Sequence, residues 1–212
     1  MKQSHPLQER AEALLDFWFG PPGDPNRERH RQIWFHATPD YDAALRGEFL
    51  ADYEQGAAGE FAAWEDSPEG ALALVLLLDQ IPRNIFRNTA RAYAADALAR
   101  AVADRALARG FDQGVPPVWR LFFTMPFHHS ESLADQRRSL ALMQAVPREP
   151  GRSGGGLRRY GAPYVEVIER FGRFPHRNAI LGRPSTPEEE AFLAECAVRA
   201  AEPRPPEAAD EG

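Results

Sequence analysis

Lysine is all but missing from this 212-residue chain. Lys2 is the one example, so apart from the six histidines every other basic side chain is arginine, and alanine, glycine and proline are abundant beside it. A GC-rich coding sequence produces that bias, which lowers the weight of any solitary arginine as an anion ligand. Cysteine is as scarce: Cys196 alone excludes an internal disulfide and fits a reducing compartment. Long apolar runs are also missing. The longest, residues 71–78, is less than half of the ~20 residues a membrane helix needs. The opening MKQSHPLQER is polar throughout, with no basic-then-apolar leader. These absences point to a soluble, cytoplasmic protein without a membrane partner. A formal charge of −6 argues against nucleic acid as a partner. No stretch alternates over strand lengths, so sheets are not expected.

What is present is helical periodicity. At this length one domain is the default, placed at residues 1–201, with 202–212 as a Pro- and acid-rich disordered tail. Leu7, Ala11, Leu14, Leu15 and Trp18 share one face of a first helix, which Gly20-Pro21-Pro22 ends. Thr38-Pro39 and Ser67-Pro68 each combine an N-cap residue with a first-turn proline. The second of these opens EGALALVLLLDQ, apolar nearly all round and therefore a core helix. Pro82 biases Ile81 away from helical geometry, so the helix is expected to stop there. Thr89 is read as the cap of ARAYAADALARAVADRALARG, with Gly110 closing it. A short helix is expected over 115–124, interrupted by Pro126. Ser132 and Asp135 suggest a capping box, and Thr186-Pro187-Glu188-Glu189 is the clearest helix start of all. Residues 147–161 read as a flexible Gly/Arg-rich loop. The expected fold is all-α: antiparallel helix pairs packed around one central apolar helix.

Polar residues gather in short motifs. LLLDQIPRNIF ends the most apolar run in Asp79, Gln80, Arg83 and Asn84. A carboxylate near a helix C-terminus sits at the unfavourable pole, and burying it is costly without a cation or donors. Either Asp79 pairs locally with Arg83 while Gln80 and Asn84 bond free carbonyls, or the group faces a cleft. MPFHHSES supplies His129, Ser130 and Glu131. It lacks the ligand spacing of a zinc site, so no metal is assigned. RFGRFPHRN sets Arg173, His176, Arg177 and Asn178 in a compact turn, where the donors either hold a carboxylate or phosphate or are merely solvated. GRSGGG has no Gly-Lys-Ser and follows no strand, so it is not read as a phosphate loop.

LLDFWFG, LALVLLLDQIPRNIFRNTARAYAADALA, HSESLADQRRSLAL and RFGRFPHRNAILGRPSTPEEEAFL together resemble bacterial domain-of-unknown-function family 924, over about Leu14 to Leu193. The resemblance implies an all-helical fold similar to tetratricopeptide-repeat (TPR-like) proteins and no established activity. The family's polar positions match Asp79, Gln80, Arg83, Asn84, His129, Ser130, Glu131, Gln136, Arg173, His176, Arg177 and Asn178. Two positions depart from the pattern: Ser132 stands where an acid is usual, and Tyr164 where a histidine is often found. Three functions follow. The first is binding of a small anionic molecule or peptide in a cleft lined by the matched residues of the three motifs. The second is a hydrolase or transferase acting on an anionic substrate, with Asp79, His129, Glu131 and His176 as acid–base groups. The third is a purely structural polar network. No cofactor is expected, and oligomeric state is left open.

Overall fold

The structure is a computed structural model that describes residues 6–34, 36–146 and 156–201. Nine α-helices occur among them, with short 3₁₀ turns between several and no strand. The helices are α1 (Pro6–Phe19), α2 (Pro39–Ala57), α3 (Pro68–Val75), α4 (Ile81–Ile85), α5 (Asp96–Ala108), α6 (Pro117–His128), α7 (Leu133–Ala145), α8 (Gly156–Phe171) and α9 (Pro187–Ala201). A π-helical turn, Leu76–Gln80, joins α3 to α4 without a break.

The start signals act as their chemistry requires. Thr38 and Ser67 accept the amide protons of Tyr41 and Gly70, with proline following each cap. Thr186 and Glu189 exchange both capping-box bonds, at 3.2 and 2.8 Å. At α7 the box is only half formed. Ser132 caps Asp135 N–H, but the Asp135 carboxylate accepts from Ser130 Oγ instead of returning to Ser132. Thr89 does not cap a long helix either: its hydroxyl bonds Phe86 O, a 3₁₀ turn follows, and α5 begins only at Asp96.

Prolines end fewer helices than expected. α6 runs through Pro126 to His128, and α8 runs through Pro163 from a start at Gly156, inside the stretch read as loop. Residues 147–155 and the tail 202–212 lie outside the described residues. Pro82 does not stop the helix at Ile81. The turn before it widens to π geometry, with Ile81 N–H bonding Leu76 O five residues back. In an α-helix the Pro82 ring would clash with the carbonyl four residues earlier; the wider turn moves that carbonyl row aside. The extra residue also rotates Asp79 and Gln80 inward.

The α3–π–α4 rod is the centre of the molecule, and every residue from Gly70 to Pro82 is buried. α1, α5 and α6 pack on α3, α2 packs on α4, and α5 to α8 contact one another in chain order. Gly70 permits the closest approach: a Cβ there would lie 2.3 Å from the Trp64 carbonyl oxygen. An aromatic cluster closes one side, with Trp18, Phe19, Trp34 and Phe122 in edge or stacked contact and Trp119 stacked on Phe19 at 4.3 Å. Burying such side chains contributes roughly 1.5–3 kcal/mol each. None of the described helices is long and apolar enough to cross a membrane.

Candidate functional site

Asp79 is wholly buried, on the inner side of the π turn. Three groups offset its charge. His129 Nδ1 lies 2.8 and 3.0 Å from its two carboxylate oxygens, and Gln80 Nε2 donates at 2.6 Å. Arg83 Nη1 stands 3.2 Å from the carboxylate and 2.6 Å from the Asp79 carbonyl. Burial by itself would raise the Asp79 carboxyl, but Arg83 and His129, with the Gln80 amide, outweigh it and hold it well below the usual carboxylate range. Asp79 is therefore ionised. An ionised partner obliges His129 Nδ1 to carry the proton, which leaves Nε2 as an acceptor. Burial first, then Arg83, pushes the His129 pKa below 6.5, so the ring is neutral at pH 7.

Arg83 extends the cluster to α5. Its guanidinium bonds Asp96 at 2.9 Å, and Asp96 faces Arg177 at 3.7 Å. Arg177 is 7% exposed and lies against two rings, 4.5 Å from the Tyr93 centroid and 4.7 Å from that of Phe174. It makes no side-chain hydrogen bond to any described residue, and its Nε is buried without a partner. Desolvation, reinforced by Arg83, pushes its pKa down. The Pro-His-Arg-Asn turn and the Asp-Gln corner thus meet through Asp96. His128, next to His129, is buried beneath Tyr164 with ring centroids 4.1 Å apart, and burial pushes its pKa down to about 3. His176 is exposed beside Phe174, and packed protein and Arg177 push its pKa down while water still reaches it.

The remaining candidates are placed elsewhere. Asn84 turns to α2, donating to Asp42 at 2.7 Å, so neither it nor Gln80 ties off a carbonyl. Ser130 Oγ is engaged by Asp135 at 2.6 Å. Gln136 Nε2 donates to the His128 and Ser130 carbonyls at 2.5 and 2.6 Å, anchoring the turn after α6. Glu131 points away from His129: it takes both Arg183 nitrogens, at 2.7 and 2.9 Å, and the Phe174 amide at 2.8 Å. Arg183 outweighs the effect of burial and lowers the Glu131 pKa. Arg173 forks onto Glu189 at 2.6 and 2.8 Å, and Asn178 links Glu189 to Arg183. These residues clasp the 173–189 loop to α9. Among the described residues no His/Cys/Asp/Glu group could hold a metal ion.

A model of a bacterial family of unknown function, DUF924, matches residues 14–197. The chain belongs to that family. Of solved structures, it is similar to a protein of unknown function from Agrobacterium tumefaciens, at 40% identity and a TM-score of 0.76. That likeness covers 87% of this chain and 97% of the other. No curated protein matches. The comparisons thus establish family and fold and assign no chemistry.

Two residues of the site, Asp96 and Tyr93, and one of the clasp, Arg183, did not stand out in the sequence. Asp96 resembles an ordinary acid in the first turn of a helix, Tyr93 an ordinary packing residue, and Arg183 was masked by the arginine bias. For Asp96 a usable signal existed: the Arg83 cation needs more than one carboxylate once it is drawn into the core.

Proposed function

We propose that the protein binds a small anion, or the acidic end of a peptide, at the Arg177 guanidinium. One observation carries this reading: Arg177 is buried yet donates no hydrogen bond to a described residue, and Asp96 stands 3.7 Å away. A guanidinium taken out of water without bonded acceptors is costly, and a bidentate carboxylate or phosphate would offset that cost. Arg83 differs, because Asp79 and Asp96 already balance it. Chain-order packing of α5 to α8 supports a TPR-like helical array as the scaffold, and the free Cys196 suits a cytoplasmic setting. The test is thermal shift with phosphate, sugar phosphates and dicarboxylates. The wild type rises in Tm with at least one of them and Arg177→Gln does not. Silence across all of them counts against the proposal.

A second reading, an acid–base hydrolase or transferase, is favoured by the Asp79–His129 contact. A buried carboxylate that orients a neutral imidazole is the arrangement a general base requires. In that reading Asp79 positions His129. Glu131 drops out of the acid–base set, because Arg183 holds it.

A further inference from the structure

Arg177 is not alone among the polar groups of the cluster in having unused hydrogen-bonding capacity. His129 Nδ1 is committed to Asp79, and Nε2 makes no bond to a described residue. The Tyr93 hydroxyl, on the ring that stacks against Arg177, likewise has no hydrogen bond to a described residue. A continuous chain of contacts joins the two ends of the site: His129 to Asp79 at 2.8 Å, Asp79 to Arg83 at 3.2 Å, Arg83 to Asp96 at 2.9 Å, Asp96 to Arg177 at 3.7 Å. One end therefore offers donors and positive charge. The other offers a lone pair, because an ionised Asp79 admits only the Nδ1–H tautomer.

We propose that the ligand is a hydroxylated anion, a phosphate or carboxylate carrying a nearby O–H, whose anionic group sits on Arg177 and whose hydroxyl donates to His129 Nε2. This rests on the anion reading above and adds a donor requirement to it. An anion without the hydroxyl leaves Nε2 desolvated and unpaired, a penalty that a site built for hydrogen bonding turns into selectivity. Water held on Nε2 would soften but not remove the difference. The same tautomer logic makes Asp79→Asn diagnostic. The asparagine amide donates to Nδ1, moves the imidazole proton to Nε2, and converts the acceptor into a donor.

The test uses matched pairs on the intact chain, measured by calorimetry: glycerol 3-phosphate against propyl phosphate, and lactate against propionate. The hydroxylated member of at least one pair binds more than about tenfold tighter to the wild type. His129→Leu and Asp79→Asn both erase that preference, so that the two members of each pair bind alike. Because Asp79→Asn removes a buried charge and can impair folding, ¹⁵N NMR of the wild-type histidines reads the tautomer directly, with His129 protonated at Nδ1 and bare at Nε2 at neutral pH. Equal affinity within both pairs overturns the donor requirement and leaves the anion reading standing. So does an Nε2–H tautomer, or a preference that survives in His129→Leu. Binding by none of the four probes overturns this inference. It leaves open the sugar phosphates and dicarboxylates whose collective silence would sink the anion reading.

Discussion

Two ionic networks lie side by side in this molecule and are built on opposite terms. The clasp around α9 joins Arg173, Glu189, Asn178, Arg183 and Glu131, and each charged group there meets an opposite partner in near-parallel bonds of 2.6–2.9 Å. The cluster at the π turn joins Asp79, His129, Arg83, Asp96 and Arg177, with contacts of 2.8–3.2 Å as far as Asp96 and a last one, to Arg177, of 3.7 Å. Arg177 Nε is left without a hydrogen bond. A network that closes on itself holds a loop in place. One that stops short at a buried cation has capacity left for a ligand, and a site of that kind tends to lower stability.

The largest expected effect that would break this comparison is at Asp79. Asp79→Ala leaves Arg83 and His129 facing an emptied core, and removing one partner of a buried ion pair typically costs about 3–5 kcal/mol. Urea unfolding checks it. A loss below 1 kcal/mol would mean that the carboxylate is not the hub of the cluster.

Next comes acidification. In the folded chain the His128 pKa is pushed down to about 3 from 6.5 by burial, and that of His129 is lowered as well. Between those values the unfolded chain binds more protons, so stability is full above pH 6.5 and falls as pH drops through the window. Asp79 adds to the slope only below its ordinary value of 3.8, since its folded pKa is depressed. Denaturant unfolding from pH 7 to 4 should show the decline, and His128→Phe should flatten it. A profile identical to wild type in that variant would remove His128 from the account.

Smaller is the effect of Thr186→Ala, which deletes half of the α9 capping box and is expected to cost about 1 kcal/mol. Amide exchange should quicken at the start of α9 and remain unchanged at the π turn. Faster exchange in both places would merge the two networks into one. Smallest is Arg177→Met, which keeps the packing against Tyr93 and Phe174 and leaves Asp96 paired to Arg83. Stability should change by less than about 1 kcal/mol, or rise, because an underpaired buried cation is removed. A loss of several kcal/mol would place Arg177 with the clasp as a structural residue.

Much of the candidate site was legible because its members are polar residues in apolar or Gly/Pro-punctuated settings: Asp79, Arg83, His129 and Arg177 all stand out that way. Glu131 was legible as well but misassigned, since nothing local says that a residue two positions from His129 will reach Arg183, 52 residues further along. Local spacing carries no information about which distant cation a carboxylate meets.

From residue order alone came the all-helical class, the buried rod opened by Ser67-Pro68, and the starts at Thr38, Ser67 and Thr186. Each depends on bonds within four residues and on a periodicity that a single helix displays. Tertiary structure alone decided that the rod continues past Pro82, because packing on α2, α5 and α6 stabilises a π turn that an isolated helix would not favour. It also decided that Asp96 would divide its carboxylate between Arg83 and Arg177, leaving Arg177 short of acceptors. Those outcomes rest on long-range contacts that desolvate charges together, a condition no short stretch of chain can express.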